Sequence, residues 1–145
     1  MMLQRTIKSK KSKIALVANS SWNIYNFRLN IIDKLLKSGY EVIVLAPLDG
    51  YIRYKQLFPE VKHINLQHLA RRSFNPFVDG LFLRELFQIY RQEKPDILLH
   101  YTIKPHIYGG LVARWLKITS IGCVTGLGYT FIKKRIYQLV EYPIV

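Results

Sequence analysis

The sequence is poor in cysteine and in acidic side chains. Its 145 residues include one cysteine, Cys123, so no disulfide can form within the chain, as suits a reducing cytoplasm. The apolar stretch around it predicts a small buried side chain. Nine acidic residues stand against 22 lysines and arginines, which gives a formal net charge of +13. This surplus favours an anionic partner: nucleic acid, an anionic membrane surface or a phosphate-bearing substrate.

Long apolar runs and several common motifs are also missing. No run reaches the roughly 18–20 residues of a membrane-spanning helix, and no apolar segment follows the basic tail, residues 1–12, as a secretory signal would require. The sequence has no spaced cluster of metal ligands, no Walker loop and no G-x-S-x-G elbow. We therefore expect no metal, no cofactor and no span across a membrane.

What the sequence does contain is an alternation of short apolar runs with segments of helical periodicity. The runs predict strands buried in a parallel sheet, at 14–18, 42–46, 63–66, 97–101 and 120–125. The intervening segments predict helices, at 27–38, 51–58, from Asn75-Pro76 onward, and 105–116. Ile107, Leu111 and Trp115 are expected to face inward. The alternation predicts an α/β fold, a Rossmann-like, doubly wound parallel sheet over residues 13–132.

In such sheets ligands bind beyond the carboxyl ends of the strands. The first segment to examine there is Asn19–Arg28, which lacks the G-x-G-x-x-G turn of a simple NAD or FAD domain. Its polar residues, with Trp22 and Tyr25, suit a hydroxyl-rich ligand, and Arg28 could reach a phosphate. The alternative, equally favoured, is that Asn19 and Ser20 cap the helix while the aromatic rings pack against neighbours.

The segment after the fourth predicted strand runs from Thr102 to Gly110. Lys104 precedes a predicted helix, where an ammonium group and free backbone N–H groups would form an anion site. Thr102 and His106 flank it as further ligand contacts. Gly109 and Gly110 each cost about 1 kcal/mol inside a helix relative to alanine, which indicates close approach by another group. Tight packing of helix on sheet is the favoured cause.

Gly126 and Gly128 follow the fifth predicted strand. They could let a ligand or a second lobe approach the backbone at the mouth of a cleft, or they could form an ordinary turn.

Basic side chains alternate with apolar ones in three segments that could lie in a membrane interface. Each lysine or arginine near an anionic leaflet contributes about 1 kcal/mol, although a solvated surface is the usual alternative for any one segment. The predicted membrane contacts are Arg53, Lys55, Arg71, Arg72, Lys133, Lys134 and Arg135. A nucleic-acid partner is not expected, because no recognised binding element carries the charge.

Several motifs, taken together, resemble one known family. They are Tyr25-Asn26-Phe27-Arg28, Thr102-Ile103-Lys104-Pro105 with Ile107-Tyr108-Gly109, and Thr125-Gly126-Leu127-Gly128-Tyr129-Thr130-Phe131. From Lys13 onward the chain resembles the N-terminal lobe of family 4 glycosyltransferases. More narrowly, it is similar to the bacterial branch that builds capsule, O-antigen and related glycans on undecaprenyl-diphosphate carriers.

The resemblance implies a GT-B architecture, in which two Rossmann-like lobes face each other across a cleft. The N-terminal lobe would hold a lipid-diphosphate-linked sugar acceptor and lie against the inner face of the plasma membrane. The C-terminal lobe would bind most of the nucleotide-sugar donor, and transfer would retain the anomeric configuration without a metal. Many members carry a histidine after the fifth strand, where this sequence has Thr125-Gly126, so the catalytic residue stays unknown.

Residues 133–145 predict the start of a basic amphipathic helix, and no second lobe follows. We therefore expect a chain that is inactive alone, either a truncated product or one subunit of a split enzyme with a separate donor-lobe chain. The alternative is a non-catalytic module that binds the membrane or the lipid carrier.

Overall fold

The strands form one parallel sheet in the order expected of a Rossmann-like fold. A computed structural model describes residues 10–72 and 75–124. Its strands are β1 (Lys13–Val17), β2 (Glu41–Ala46), β3 (Lys62–Asn65), β4 (Ile97–Tyr101) and β5 (Thr119–Cys123). They are all parallel and lie in the order β3-β2-β1-β4-β5. The predictions made for Gly126, Gly128 and Lys133–Arg135 fall outside the described residues.

Two of the helices, the first and the fourth, begin at a capping side chain. The helices are α1 (Ser21–Phe27), α2 (Leu29–Lys37), α3 (Tyr54–Leu57), α4 (Pro76–Glu93), a π-helix (Pro105–Gly109) and α5 (Gly110–Leu116). The Asn75 side chain accepts a hydrogen bond from the backbone N–H of Phe77 at 3.0 Å, and Pro76 takes the first helical position. Asn75-Pro76 was thus a correct prediction of a helix start.

The first helical region starts earlier than predicted. Ser20 accepts a hydrogen bond from the backbone N–H of Asn23 at 3.2 Å and so caps α1. The helix therefore begins at Ser21, six residues before the predicted start at Phe27. Arg28 then leaves helical geometry, with φ −124° and ψ 0°, and separates α1 from α2. The apolar periodicity identified α2 alone, because α1 buries only Ser21 and Ile24.

Helices cover both faces of the sheet, as a doubly wound fold requires. Alternate strand residues point to opposite faces, so Leu16 and Val44 join one core, while Val17 and Leu45 join the other. The first core is closed by side chains of α1, α2 and α3, and the second by those of α4 and α5. The helices change sides between β1 and β4, which defines the topological switch point.

The inward face predicted for the last helix was wrong. Ile107, Leu111 and Trp115 are 53%, 39% and 55% exposed. Val112 and Ala113 are buried against the sheet instead. The small side chains let the helix approach the strands closely, and the large ones are left on the outer surface.

Strand β5 lies at an edge of the sheet and is mostly exposed, which corrects the expectation for its cysteine. This strand is less buried than β4 because, within the described part of the chain, only β4 pairs with it. Cys123 is consequently half-buried rather than enclosed in the core.

Candidate functional site

The switch point brings together the two segments that follow β1 and β4. Asn19 is half-buried there, and its amide oxygen accepts a long hydrogen bond of 3.4 Å from the Ser20 hydroxyl. Ser21 donates to the backbone oxygen of Pro47 at 2.7 Å and so ties α1 to the end of β2. The capping interpretation is correct for Ser20, whereas Trp22 keeps 42% of its surface exposed. The segment can therefore both cap α1 and contact a hydroxyl-rich ligand.

Arg28 lies over an aromatic ring at the end of β4. Its guanidinium carbon is 4.2 Å from the centroid of the Tyr101 ring, a cation–π contact. One terminal nitrogen donates to the backbone oxygen of Phe27 at 3.3 Å. The Nε atom is buried and has no hydrogen-bond partner among residues 10–72 and 75–124. A buried N–H group without a partner can donate a hydrogen bond to an oxygen atom of a ligand.

Thr102, directly after β4, has a strained backbone. Its φ of 72° lies in the left-handed region, which a β-branched residue rarely adopts. Its hydroxyl is buried without a hydrogen-bond partner in the described part of the chain. The amide oxygen of Asn23, on the first turn of α1, is in the same condition. Strain and unpaired polar atoms thus occur together on the two segments that meet at the switch point.

Lys104 forms a buried ion pair that the sequence did not reveal. Its ammonium group lies 2.5 Å from a carboxylate oxygen of Asp79 on α4, and the two side chains are 6% and 8% exposed. Tyr108 donates to the other oxygen of Asp79 at 3.0 Å. The hydrogen bond from Lys104, followed by that from Tyr108, lowers the pKa of Asp79. A phosphate contact by Lys104 would therefore have to be shared with Asp79.

The two histidines near the switch point have different surroundings. His100 on β4 is buried, and its Nε2 atom shares a hydrogen bond of 2.9 Å with the Tyr90 hydroxyl. Burial lowers the pKa of His100 to about 4, and His106 contributes in the same direction. His106 is exposed, and its ring lies so close to Gly122 that a Cβ atom there would overlap it.

The two glycines of the last helix have different roles. A Cβ atom on Gly109 would lie 2.5 Å from Nε2 of His100 and 2.9 Å from the Tyr90 hydroxyl oxygen. A Cβ atom on Gly110 would meet nothing within 4 Å. Close packing on the sheet is therefore the correct explanation for Gly109, and it is wrong for Gly110.

A second concave feature lies beyond the ends of β1, β2 and β3. This aromatic pocket, of about 430 Å³, is lined by Trp22, Asp49, Tyr51 and Arg71. Asp49 accepts hydrogen bonds from the backbone N–H groups of Trp22 and Tyr51. Tyr25 adjoins it, with a ring centroid 5.8 Å from that of Tyr51. Sequence reasoning had assigned Arg71 to a membrane contact and had overlooked Asp49.

The remaining basic residues of the predicted membrane contact are on the surface. Arg53, Lys55 and Arg72 are exposed, as is Arg71 at the pocket. Within the described ranges, no helix combines the length and hydrophobicity needed to cross a bilayer. In the same ranges, no three His, Cys, Asp or Glu side chains gather in a way that could hold a metal ion.

A comparison with protein-family models identifies the family of this chain. The family model described as glycosyl transferase 4-like matches residues 13–144. A Campylobacter jejuni protein, N,N'-diacetylbacillosaminyl-diphospho-undecaprenol alpha-1,3-N-acetylgalactosaminyltransferase, is 29% identical over 121 residues, which are 83% of this chain and 32% of the relative. The chain thus spans about a third of the length of that curated relative.

Solved structures show the same fold at low sequence identity. MurG of Acinetobacter baumannii matches with a TM-score of 0.60 and 17% identity, over 85% of this chain and 39% of that one. A glycosyltransferase of Rickettsia africae matches with a TM-score of 0.62 and 20% identity, over 86% of this chain and 33% of that one. UDP-GlcNAc 2-epimerase of Neisseria meningitidis matches with a TM-score of 0.61 and 17% identity, over 84% of this chain and 34% of that one. These likenesses support the Rossmann-like lobe of a GT-B architecture.

Proposed function

Because the chain belongs to the glycosyl transferase 4-like family, we propose that it is the acceptor-binding lobe of a retaining glycosyltransferase. The acceptor is a sugar linked to a lipid diphosphate, and the donor is a nucleotide-sugar. The Campylobacter jejuni relative, which is named as a sugar transferase acting on a diphospho-undecaprenol glycan, supports this choice of acceptor.

The observation that carries the proposal is the unpaired guanidinium nitrogen of Arg28 at the switch point. A guanidinium stays charged at every physiological pH and donates in a planar fork that fits phosphate oxygens. The Tyr101 ring beneath it fixes the position of the positive charge without neutralising it. The unpaired hydroxyl of Thr102 supplies a second group for hydrogen bonding at the same crevice.

The roles of the remaining predicted contacts stay part of the proposal. Asn19 lies on the segment after β1, Tyr25 lies on α1 and His106 lies on the segment after β4, and in this proposal each contacts the acceptor. Lys104 is paired with Asp79, which offsets much of its positive charge, so any phosphate contact that it makes is shared with that carboxylate. Gly126 and Gly128 stay predictions.

In this proposal, the donor and the chemical step belong largely to the part of the relatives that this chain does not span. The isolated chain then binds acceptor but transfers no sugar, whether the other lobe is joined to it or supplied as a separate chain. The exposed residues Arg53, Lys55 and Arg72 are the contacts with the anionic inner face of the plasma membrane.

Binding of an isoprenyl diphosphate tests the phosphate site. Farnesyl diphosphate is titrated into the chain by calorimetry, with farnesol as the uncharged comparison. Arg28→Ala is expected to weaken diphosphate binding by at least about tenfold, because a charge-assisted hydrogen bond is lost. Arg91→Ala is the matched control: Arg91 also lies over an aromatic ring, with its guanidinium carbon 5.6 Å from that of Phe87, but on the outer side of α4. Equal loss in both variants would contradict the assignment.

A non-catalytic membrane-binding module is the second candidate, favoured by the net charge of +13. It predicts sedimentation with vesicles that contain phosphatidylserine, reversed by salt and reduced in an Arg53→Ala/Lys55→Ala double variant. The same sedimentation with neutral phosphatidylcholine vesicles would exclude an electrostatic contact.

A further inference from the structure

Besides the crevice at Arg28, the chain has the aromatic pocket formed by Trp22, Asp49, Tyr51 and Arg71. We propose that this pocket binds a pyranose ring. Its assignment as the site for a sugar of the acceptor glycan rests on the proposed function, whereas pyranose binding itself can be tested alone.

The pocket presents two large aromatic side chains that remain open to solvent. Trp22 is 42% exposed and Tyr51 is 40% exposed. They come from different elements, the first turn of α1 and the segment after β2. Aromatic side chains of this kind offer a wide contact surface at a small cost in conformational entropy, because each has only two side-chain torsions.

Asp49 holds the two aromatic residues in a fixed relation. One of its carboxylate oxygens accepts from the backbone N–H of Trp22 at 3.2 Å, and the other accepts from that of Tyr51 at 2.8 Å. The arrangement therefore exists before a ligand arrives, which lowers the entropic cost of binding. Asp49 thus fixes the backbone positions from which both rings project.

The chemistry of the lining fits a sugar better than a wholly apolar ligand. A pyranose has C–H groups on its faces and hydroxyl groups around its rim. The rings of Trp22 and Tyr51 can cover an apolar face, while the five N–H donors of Arg71 and the remaining lone pairs of Asp49 can bind hydroxyl groups. A mostly apolar lining with a few polar groups is the usual composition of a small-molecule site.

The pocket is connected to the phosphate crevice by side chains of α1. The Trp22 ring meets the Phe27 ring edge to face, with centroids 5.4 Å apart, and the guanidinium carbon of Arg28 is 6.0 Å from the Phe27 ring. Adjacent strands in a sheet are about 4.8 Å apart, so the ends of β1 and β2 are neighbours. A glycan whose diphosphate lies at Arg28 could therefore extend over Phe27 into the pocket.

Tryptophan fluorescence can report this binding from a single site. The sequence contains two tryptophans, so Trp115→Phe leaves Trp22 as the one emitter. The methyl glycosides of N-acetylgalactosamine and N-acetylglucosamine are titrated into this protein, with uridine as a ligand that stacks on aromatic rings but has no pyranose. We expect a saturable change with at least one glycoside and none with uridine.

Matched variants in the Trp115→Phe background identify the groups responsible. Tyr51→Ala and Arg71→Ala are each expected to weaken glycoside binding by about tenfold. Tyr51→Phe keeps the ring and should stay within about twofold of the parent affinity. Arg91→Ala removes an exposed arginine of α4 that lies outside the pocket lining, and it should not differ from the parent. Far-UV circular dichroism checks that each variant is folded.

The outcomes separate this inference from the proposed function. Absence of a glycoside response, equal losses for Arg71→Ala and Arg91→Ala, or a stronger response to uridine would each overturn the pyranose pocket. The proposed function would still stand if farnesyl diphosphate binding depended on Arg28. Loss of both responses would overturn both.

Discussion

Adding one methyl group at Gly109 tests how closely the last helix packs on the sheet. The added Cβ atom would lie 2.5 Å and 2.7 Å from two atoms of the His100 ring and 2.9 Å from the Tyr90 hydroxyl oxygen. All three distances are too short for nonbonded atoms. His100 and Tyr90 are each 1% exposed, so neither side chain can turn into solvent to make room. The helix or the sheet must therefore shift.

The change in stability caused by Gly109→Ala is estimated by comparison with Gly110→Ala. Both glycines have right-handed helical backbones, with φ of −65° and −62°, so alanine fits each without backbone strain. At Gly110 the new methyl group meets nothing within 4 Å, and the variant should gain up to about 1 kcal/mol from helix propensity. At Gly109 the same gain is opposed by an overpacking cost of about 1–3 kcal/mol. The difference between the variants measures the overpacking cost alone.

Urea unfolding followed by far-UV circular dichroism measures this difference. Gly110→Ala should raise the urea midpoint relative to the unmodified protein, and Gly109→Ala should have a midpoint clearly below that of Gly110→Ala. The slopes of the transitions should agree, since neither change alters the surface exposed on unfolding. If the two variants were equally stable, the close approach of Gly109 to His100 would be refuted.

Three further predictions concern stability. Burial lowers the pKa of His100 to about 4 in the folded protein, against an ordinary 6.5, so between these pH values the unfolded chain binds a proton that the folded chain does not. The free energy of unfolding should therefore fall by about 3 kcal/mol as the pH decreases from above 6.5 to below 4, which urea midpoints measure. An unchanged midpoint would contradict the burial of His100. Asp79→Ala leaves Lys104 without its buried carboxylate partner and should lower the midpoint far more than Asp33→Ala, which removes an exposed i,i+4 pair; equal losses would contradict a buried bridge. Asn75→Ala removes the cap of α4 and should cost about 1 kcal/mol, whereas Asn75→Asp should restore most of the loss in thermal unfolding.

The strands could be predicted from the sequence because the physical signal is local. A strand buried on both faces needs a continuous apolar run, and β1, β2 and β4 have such runs for that reason, whereas β3 and β5 at the sheet edges are more exposed. For example, β1 was predicted at 14–18 and lies at Lys13–Val17, while β4 was predicted at its observed bounds, Ile97–Tyr101. The parallel alternation then left few possible topologies, and the observed order is one of them.

The packing of the last helix could not be predicted in this way. Ile107, Leu111 and Trp115 recur every four residues, which periodicity alone interprets as a buried face. The approach of the helix to the sheet is limited by size, however, and the close contact at Gly109 selects small neighbours such as Ala113 for the inner side. Hydrophobicity favours the large side chains on the inner side of the helix, whereas close packing on the sheet allows only small ones there. The packing requirement determines the observed orientation.

The positions of the candidate residues in the fold could be predicted, but their pairings could not. Sequence reasoning placed Arg28, Thr102 and Lys104 beyond the strand ends, where the structure has them. It did not identify Asp79 as the partner of Lys104, since 25 residues and a change of element separate them. From the sequence alone, an acidic residue in the first turn of a helix predicts no more than a favourable charge for the helix dipole.

The π-helix at Pro105–Gly109 has a consequence for chain length. Such a turn holds one residue more than an α-helical turn between the same two ends, so it can store an insertion while the flanking segments keep their direction. Deleting one residue there would let ordinary α-helical winding run directly into α5. The residues of this turn would then change position relative to one another, so the contacts of His106 with Gly122, Tyr108 with Asp79 and Gly109 with His100 would all be disturbed.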